Sequence, residues 1–408
     1  MYYHRHIEPV IERIAKRKPV IILTGARQVG KSTLLKEVFR HINYVTLSRP
    51  LVRESAKENP SLFFAVNKPP VVVDEIQKAT GLFDYIKDIV DEDKKKGQFY
   101  LTGSQSMSLM KNVSESLAGR AGIIKLLGLS MRELTGNACR KPFLPVTERM
   151  EEAEKTSKFN YAKLISYIHK GFFPELHETE SDLHDWADYY SSYFQTYIEK
   201  DIKDILNIQD ESAFIKFVKS AASLTGEMLN LTTMAEICGK DVKTIKSWLS
   251  VLESSGLVYL LEPYYNNINK RMIKTPKLYF LDTGLACWLL GWNTPEQLTG
   301  GAMWGHIFES FVFSEVLKSY YNDGIVKPLL YYYRDKDRNE IDLVIEDGDT
   351  LCPVEIKTTS DPTKSMAGAF RLLASIPRKK VGTGAVICLA KERLPLTENV
   401  WILPAGII

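Results

Sequence analysis

Five continuously apolar runs punctuate residues 1–135: "PVIILTG", "NYVTLS", "PPVVVDE", "GQFYLTGS" and "GIIKLLGLS". Helical stretches separate them. Runs without polar alternation suit strands covered on both faces, and strand alternating with helix is the pattern of a parallel α/β sheet. From Leu134 to Glu154 the pattern breaks down, in "TGNACRKPFLPVTERMEEAE", which predicts a linker. Residues 159–225 return to helical spacing. Tyr and Phe dominate "LHDWADYYSSYFQTYIEKDIKDIL", a pattern that predicts a packing stripe rather than a ligand box. Residues 231–265 predict two short helices and a strand. "TTMAEICG" opens on a threonine cap and closes on glycine, "DVKTIKSWLSVLESSG" has Asp241 as cap and Gly256 as stop, and "LVYLLEPYYNN" is β-like. Residues 303–408 read as helix, three strands, helix and strand: "WGHIFESFVFSEVLKSYY", "LLYYYR", "NEIDLVIED", "LCPVEIKT", "KSMAGAFRLLASI" and "GAVICLA".

The chain of 408 residues is too long for one typical domain, and 45% apolar with 25% charged residues is the composition of a soluble protein with true cores. A net charge of +3 means that any nucleic-acid surface must be local. The five cysteines (139, 238, 287, 352, 388) form no CxxC pair, which speaks against zinc or a disulfide framework and for a reducing, cytoplasmic compartment. No leader-like apolar segment and no membrane span is expected. His4 and His6 are expected on a solvated N-terminus rather than as a metal pair.

"GARQVGKST", Gly25 to Thr33, fits GxxxxGK[ST] between a predicted strand and a predicted helix. Backbone N–H groups of Gly25, Ala26, Arg27, Gln28, Val29 and Gly30 and the helix N-terminus would cradle phosphates. Lys31 would reach the β- and γ-phosphates of ATP, and Ser32 would ligate Mg²⁺. "PPVVVDEIQ" then ends an apolar strand in two acids. Asp74 would hold the Mg²⁺ shell and Glu75 would orient the attacking water. "FYLTGSQS" places Thr102 and Ser104 at the end of a further strand, where ligands of α/β sheets sit. Arg120, in "SLAGRAG", is a candidate γ-phosphate sensor, in cis or from a neighbouring subunit.

This half resembles the AAA+-like ATPases of prokaryotes whose loop is of the "GARQVGKST" type. The resemblance covers nearly the whole chain and implies an α/β fold in four parts. These are a P-loop NTPase parallel sheet at 1–135, a linker and helical domain at 136–228, a winged helix at 229–280, and a restriction-endonuclease-like α/β domain at 295–408. A winged helix lays its second helix in the major groove of DNA. Here that helix carries Lys243 and Lys246, with Lys240 before it. Lys270, Arg271, Lys274 and Lys277 follow without an intervening acid, a footprint that fits phosphate contacts as well as a solvated face.

The C-terminal block raises a second chemistry. Glu92, Asp93, Asp201, Asp241 and Glu355 each lead an acid-x-Lys triplet, so the triplet alone says nothing. Only Glu355 lies in a strand preceded by another strand that holds an acid, Asp342. A hairpin would bring Asp342, Glu355 and Lys357 together, with Glu309 arriving on the preceding helix. This set resembles the PD-(D/E)XK nuclease core, although no proline precedes Asp342. The resemblance implies Mg²⁺ or Mn²⁺ on Glu309, Asp342 and Glu355, with Lys357 orienting the water. Arg334 and Glu340 are candidates for phosphate contact or support. The expectation is therefore an ATP-hydrolysing protein acting on DNA, with a possible nuclease site. The alternative is an ATP-switched module that binds DNA or protein through an inactive nuclease-like domain, as a homo-oligomer or with a protein partner.

Overall fold

The computed structural model describes residues 2–408 except 105–112, 114, 156–159, 179–181, 203–207, 209 and 266–274. The five apolar runs form β1 (Val20–Gly25), β2 (Asn43–Thr46), β3 (Val71–Asp74), β4 (Phe99–Ser104) and β5 (Ala121–Lys125), a wholly parallel sheet in the order β2-β3-β4-β1-β5. Side chains alternate between its faces. Val20 and Ile22 enter one core with Val71 and Val73, whereas Ile21 and Leu23 enter another with Val72. Burial on both faces is why these runs carry no polar alternation. In register, Gly25 lies beside Ser104 and Val73 beside Leu101, so the carboxyl ends of β1, β3 and β4 lie together at one end of the sheet.

The expected linker is not one. Ser130 and Glu133 form a capping box that starts the helix Met131–Thr135, and a second helix covers Thr147–Glu154. Between them Cys139 and Phe143 are buried. Phe143 N–H donates to Ser319 Oγ at 2.8 Å, tying the segment to the C-terminal domain. Its Pro, Arg and Glu content disguised this, because the segment packs by scattered apolar residues rather than by a periodic stripe. The N-terminus is solvated only in part, since His4 is exposed as expected but His6 is not. Arg5 and His6 are buried, and His6 Nε2 lies 2.9 Å from Asn137 O.

The aromatic stretch is an α-helix over Leu183–Tyr193 that continues as a π-helix over Phe194–Ile202. The helix–turn–helix follows as Leu231–Cys238, capped by Asn230 rather than by a threonine, and Val242–Ser254, capped by Asp241. A small antiparallel sheet, β6 (Glu227–Met228), β7 (Val258–Leu261) and β8 (Lys277–Phe280), packs beside it in the order β6-β8-β7.

The C-terminal domain opens on the helix Trp304–Asn322 and builds a mixed sheet. Its strands are β9 (Leu330–Arg334), β10 (Glu340–Asp347), β11 (Thr350–Ile356), β12 (Lys380–Val381), β13 (Gly384–Cys388), β14 (Leu394–Thr397) and β15 (Val400–Pro404). β10 and β11 are the expected antiparallel hairpin. The expected second helix is a run of 3₁₀ turns over Lys364–Ser375. The short β12 and the terminal pair β14–β15 went unread in the sequence. The five cysteines are free and buried. Among the described residues, no helix is long and apolar enough to cross a membrane.

Candidate functional site

The loop after β1 is shaped by backbone that side chains rarely adopt. Gly25 has φ +153°, and a Cβ there would meet Leu126 O at 2.1 Å. Gly30, at φ +91°, turns the chain into the helix Lys31–Val38. Gln28 adopts φ 62° although it is not a glycine, and its Oε1 accepts from Tyr189 OH at 2.8 Å. The buried Arg5 clamps the loop from behind. Its guanidinium donates to Val29 O at 3.0 Å and Leu127 O at 2.9 Å, and it pairs with Glu133 at 3.1 Å.

Lys31 is buried, and its Nζ donates to Ala26 O at 2.7 Å and Gly25 O at 3.1 Å. Burial pushes its pKa down to about 8, against the pull of Glu75 and Asp74. Asp74 gathers three hydroxyls. Ser32 Oγ donates to its Oδ1 at 2.5 Å, Thr102 to the same oxygen at 2.7 Å, and Thr46 to Oδ2 at 2.9 Å. Burial would raise the Asp74 pKa, but these bonds outweigh it and hold the carboxylate ionised. Glu75 follows at φ 61°, its N–H donating to Thr102 Oγ1 at 3.1 Å and its Oε2 accepting from Gln77 Nε2 at 2.8 Å. The Ser32 hydroxyl and the Asp74 carboxylate meet as hard oxygen donors, so the pair fits a magnesium shell.

Lys31, Ser32 and Glu75 line a cleft of about 490 Å³ whose other wall includes Glu175, Tyr193, Thr196 and Tyr197. That wall was missed in the sequence, where the aromatic run read as packing. Most of it does pack, and Tyr190 and Tyr193 are buried. Among the described side chains of the π-helical turn, Thr196 and Tyr197 line the cleft. The side chain of Ser104 lies outside the described residues.

Arg120 does not belong to this site. It immediately precedes β5, whose first residue, Ala121, pairs with Val20 at the start of β1. It therefore stands at the amino end of the sheet, a full strand away from the loop, and chelates Asp91 at 2.6 and 2.7 Å. This rules out a γ-phosphate contact in cis.

In the C-terminal domain, Glu309, Asp342, Glu355 and Lys357 do come together. Lys357 Nζ lies 2.6 Å from Glu355 Oε1 and 3.3 Å from Asp342 Oδ2, which also accepts Ile356 N–H at 2.8 Å. A second lysine joins them. Lys277, on β8, is only 3% exposed. Its Nζ stands 3.0 Å from Glu309 Oε1, 2.5 Å from Glu340 Oε1 and 3.9 Å from Asp342 Oδ1. Arg334 pairs with Glu340 at 3.2 Å. Burial and the nearby Asp342 raise both Glu309 and Glu355 to about 7, while Lys277 and Lys357 respectively pull them down. Burial disfavours the Lys277 ammonium, but Tyr279 and the carboxylates of Glu309, Asp342 and Glu340 more than offset it and hold the proton on.

Glu309, Asp342 and Glu355 are thus not arranged as metal ligands. Among the described residues, no three His, Cys, Asp or Glu side chains form a metal-holding group. One oxygen, Glu355 Oε2, is buried without a hydrogen-bond partner, while Glu309 Oε1, both Asp342 oxygens and Glu355 Oε1 face lysine ammonium groups, the Tyr279 hydroxyl or the Ile356 N–H. The donor set in this arrangement does not fit a divalent ion. Lys277 also leaves the expected DNA-facing cluster, because it is buried among acids. Lys240 pairs with Asp210 at 2.7 Å, and Lys243 and Lys246 are exposed. Lys270, Arg271 and Lys274 lie outside the described residues.

Comparison with known families assigns residues 17–135 to an AAA domain, and residues 161–296 and 304–408 to two domains of unknown function, DUF8612 and DUF4143. An uncharacterized protein of Mycobacterium tuberculosis and its Mycobacterium bovis counterpart are each 26% identical over 398 residues, covering 97% of this chain and 82% of theirs. Among solved structures, a Walker-type ATPase of Pyrococcus abyssi aligns with 13% identity and a TM-score of 0.41, over 71% of this chain and 96% of that one. The RuvB Holliday junction branch migration motor of Thermotoga maritima aligns with 17% identity and a TM-score of 0.29, over 62% and 86%. The sheet, the loop and the domain match together make the N-terminal part an AAA-type P-loop domain.

Proposed function

We propose that the chain is an ATP-hydrolysing switch whose helix–turn–helix and C-terminal domains act on DNA. The observation that carries the hydrolytic part is the bonded series Ser32–Asp74–Thr102–Glu75, which joins the phosphate loop to the ends of β3 and β4. Lys31 would exchange its bonds to Gly25 O and Ala26 O for phosphate oxygens. A magnesium ion held by Ser32 and Asp74 would neutralise charge on the phosphates. Glu75, the side chain after the bonded strand end, would orient the attacking water and take its proton. The recess lined by Tyr2, Tyr3, Gly30, Thr33 and Pro174 adjoins the loop, and we assign the nucleobase to it.

DNA contact would run through Lys243 and Lys246 on the exposed face of the helix Val242–Ser254, read as the second helix of a winged-helix unit. The opposite face, with Ile245, Trp248 and Leu252, is buried. Steady-state ATPase assays of wild type and Lys31→Ala, with and without duplex DNA, test this reading. Hydrolysis lost in Lys31→Ala and stimulated by DNA is expected. Turnover unaffected by Lys31→Ala would remove the hydrolytic reading, and turnover indifferent to DNA would remove the coupling.

A further inference from the structure

The phosphate loop sends two adjacent side chains to the aromatic helix. Gln28 Oε1 accepts from Tyr189 OH at 2.8 Å, and the Arg27 guanidinium stands over the Tyr197 ring, 5.1 Å from its centroid. Tyr189, Tyr193 and Tyr197 recur at every fourth residue, and their rings touch in series with centroids 6.3 and 5.4 Å apart. Arg27 and Gln28 therefore engage the two ends of one tyrosine ladder. The wall to which Tyr197 belongs is otherwise unsuited to phosphates. Glu175 and Glu178 line it, and among the described lining residues it carries no cation. The cations of the cleft are Arg27, Lys31 and Lys78, all from the opposite side. Lys31 is held against the loop, and Lys78 lies 3.1 Å from Ser48 Oγ and 3.9 Å from Glu75 Oε2. Arg27 alone starts in the phosphate cradle and turns toward the acidic wall. Burial leads the lowering of the Lys31 pKa and the Arg27 charge adds to it, so the guanidinium is within electrostatic reach of the group that meets the phosphates.

We propose that Arg27 is a catalytic residue of the hydrolysis: its guanidinium, held on Tyr197 in the empty loop, binds the γ-phosphate of ATP. The proposal rests on the ATP-hydrolysing reading above. The backbone N–H of Arg27 belongs to the cradle, so its side chain leaves the loop beside the bound phosphates. An aromatic face attracts the charge of a guanidinium but accepts no hydrogen bonds in its plane, whereas phosphate oxygens accept two at once. Phosphate therefore outcompetes the ring. Without phosphate, the buried Tyr197 keeps the guanidinium at the cleft. In the reaction the water oxygen bonds to the γ-phosphorus and the bond to the β–γ bridging oxygen breaks. The bridging oxygen keeps the electron pair, and the water proton passes to Glu75. Arg27 neutralises the charge on the γ-oxygens as this happens, the part that Arg120 stands too far away to play in cis.

The test compares the full chain of wild type with Arg27→Gln and Arg27→Lys, each folded by circular dichroism. ATP turnover is measured at steady state, and ADP and the β–γ imido analogue of ATP are titrated with Mg²⁺ present. Arg27→Gln should lower kcat by about 10²–10³-fold and affinity for the imido analogue by about tenfold, with ADP affinity within about twofold of wild type. Arg27→Lys should recover part of both losses, because it keeps the charge without the planar fork. An equal loss of ADP and analogue affinity would overturn the proposal, since Arg27 would then only shape the loop. A kcat within about threefold of wild type in Arg27→Gln would overturn it as well. A wild type that neither binds nor hydrolyses ATP would remove the hydrolytic reading and the proposal with it, whereas failure of the proposal alone shows only in the variants. If Arg27→Gln does not fold, Arg27→Met keeps an apolar contact with Tyr197 without the charge, and the same losses are required of it.

Discussion

Thr102 joins the two acids at the end of β3: its hydroxyl donates to Asp74 Oδ1 at 2.7 Å, and the same oxygen accepts the N–H of Glu75 at 3.1 Å. One hydroxyl on β4 thereby fixes both the carboxylate that faces the phosphate loop and the backbone of the residue assigned to the water. Thr102→Val keeps the shape and removes both bonds. The expected outcome is a kcat lowered about tenfold, or about 1.4 kcal/mol, with nucleotide affinity nearly unchanged. Steady-state ATPase kinetics paired with nucleotide titration would show it, and an equal loss of affinity would make Thr102 a binding residue instead.

Asp74 and Glu75 should separate on mutation. Glu75→Gln keeps the hydrogen bond to Gln77 in kind but loses the base, so kcat should fall by about 10²–10⁴-fold with ATP still bound. Asp74→Asn should weaken Mg²⁺-dependent nucleotide affinity as well, because it alters the acceptor of three hydroxyls. Nucleotide titrations with and without Mg²⁺ distinguish the two. Identical phenotypes would contradict the division of roles.

The nucleotide half was legible because its chemistry is contiguous: the loop lies within Gly25–Thr33, and both acids close one apolar strand. The hairpin acids were legible for a similar reason, since β10 and β11 are neighbours in sequence. Lys277 was not. It lies 32 residues before Glu309, across a helical stretch, and beside Lys270, Arg271 and Lys274 it looked like one more surface cation. A signal was present: "PKLYFLD" is otherwise apolar up to its aspartate, and a charge inside such a run implies a buried partner. The wall formed by Thr196 and Tyr197 was hidden for the opposite reason. A π-helical turn shifts the phase of the side chains, so spacing for an α-helix put the whole aromatic run into packing.

Arg120→Ala should leave ATP turnover within about twofold of wild type. The Arg120–Asp91 pair faces solvent, which screens it, so its loss should also leave the melting temperature nearly unchanged. Thermal unfolding and ATPase rates at low and high protein concentration check both statements. A hundredfold loss of turnover that depends on concentration would instead mean that Arg120 reaches the site of a neighbouring copy.

The exposed lysines make a quantitative prediction about salt. If Lys243 and Lys246 each neutralise one phosphate, Lys243→Ala/Lys246→Ala should reduce the slope of log K against log salt by about 2, uniformly across DNA sequences. Fluorescence anisotropy over a salt series measures it. An unchanged slope would turn the helix Val242–Ser254 into a packing element only.

Lys31 links function to stability with a definite sign. In the folded protein burial lowers its pKa from 10.5 to about 8, so the unfolded chain binds its proton more tightly than the native one. Below pH 8 the group is protonated in both states and the native state carries the full penalty, about 3 kcal/mol. As pH rises from 8 to 10.5, the native state loses the proton first and the penalty is progressively relieved. Lys31→Met removes it at every pH. The nucleotide-free variant should therefore be more stable than wild type at pH 7 by up to a few kcal/mol, less the two bonds to Gly25 O and Ala26 O, and the difference should shrink toward pH 10. The same variant should lose ATP binding, because it offers nothing to the phosphates. Denaturant unfolding at pH 7 and pH 10 with nucleotide titration at pH 7 tests both parts. A variant less stable at pH 7 than at pH 10, relative to wild type, would show that the ammonium stabilises the empty loop and that its burial is compensated within the fold.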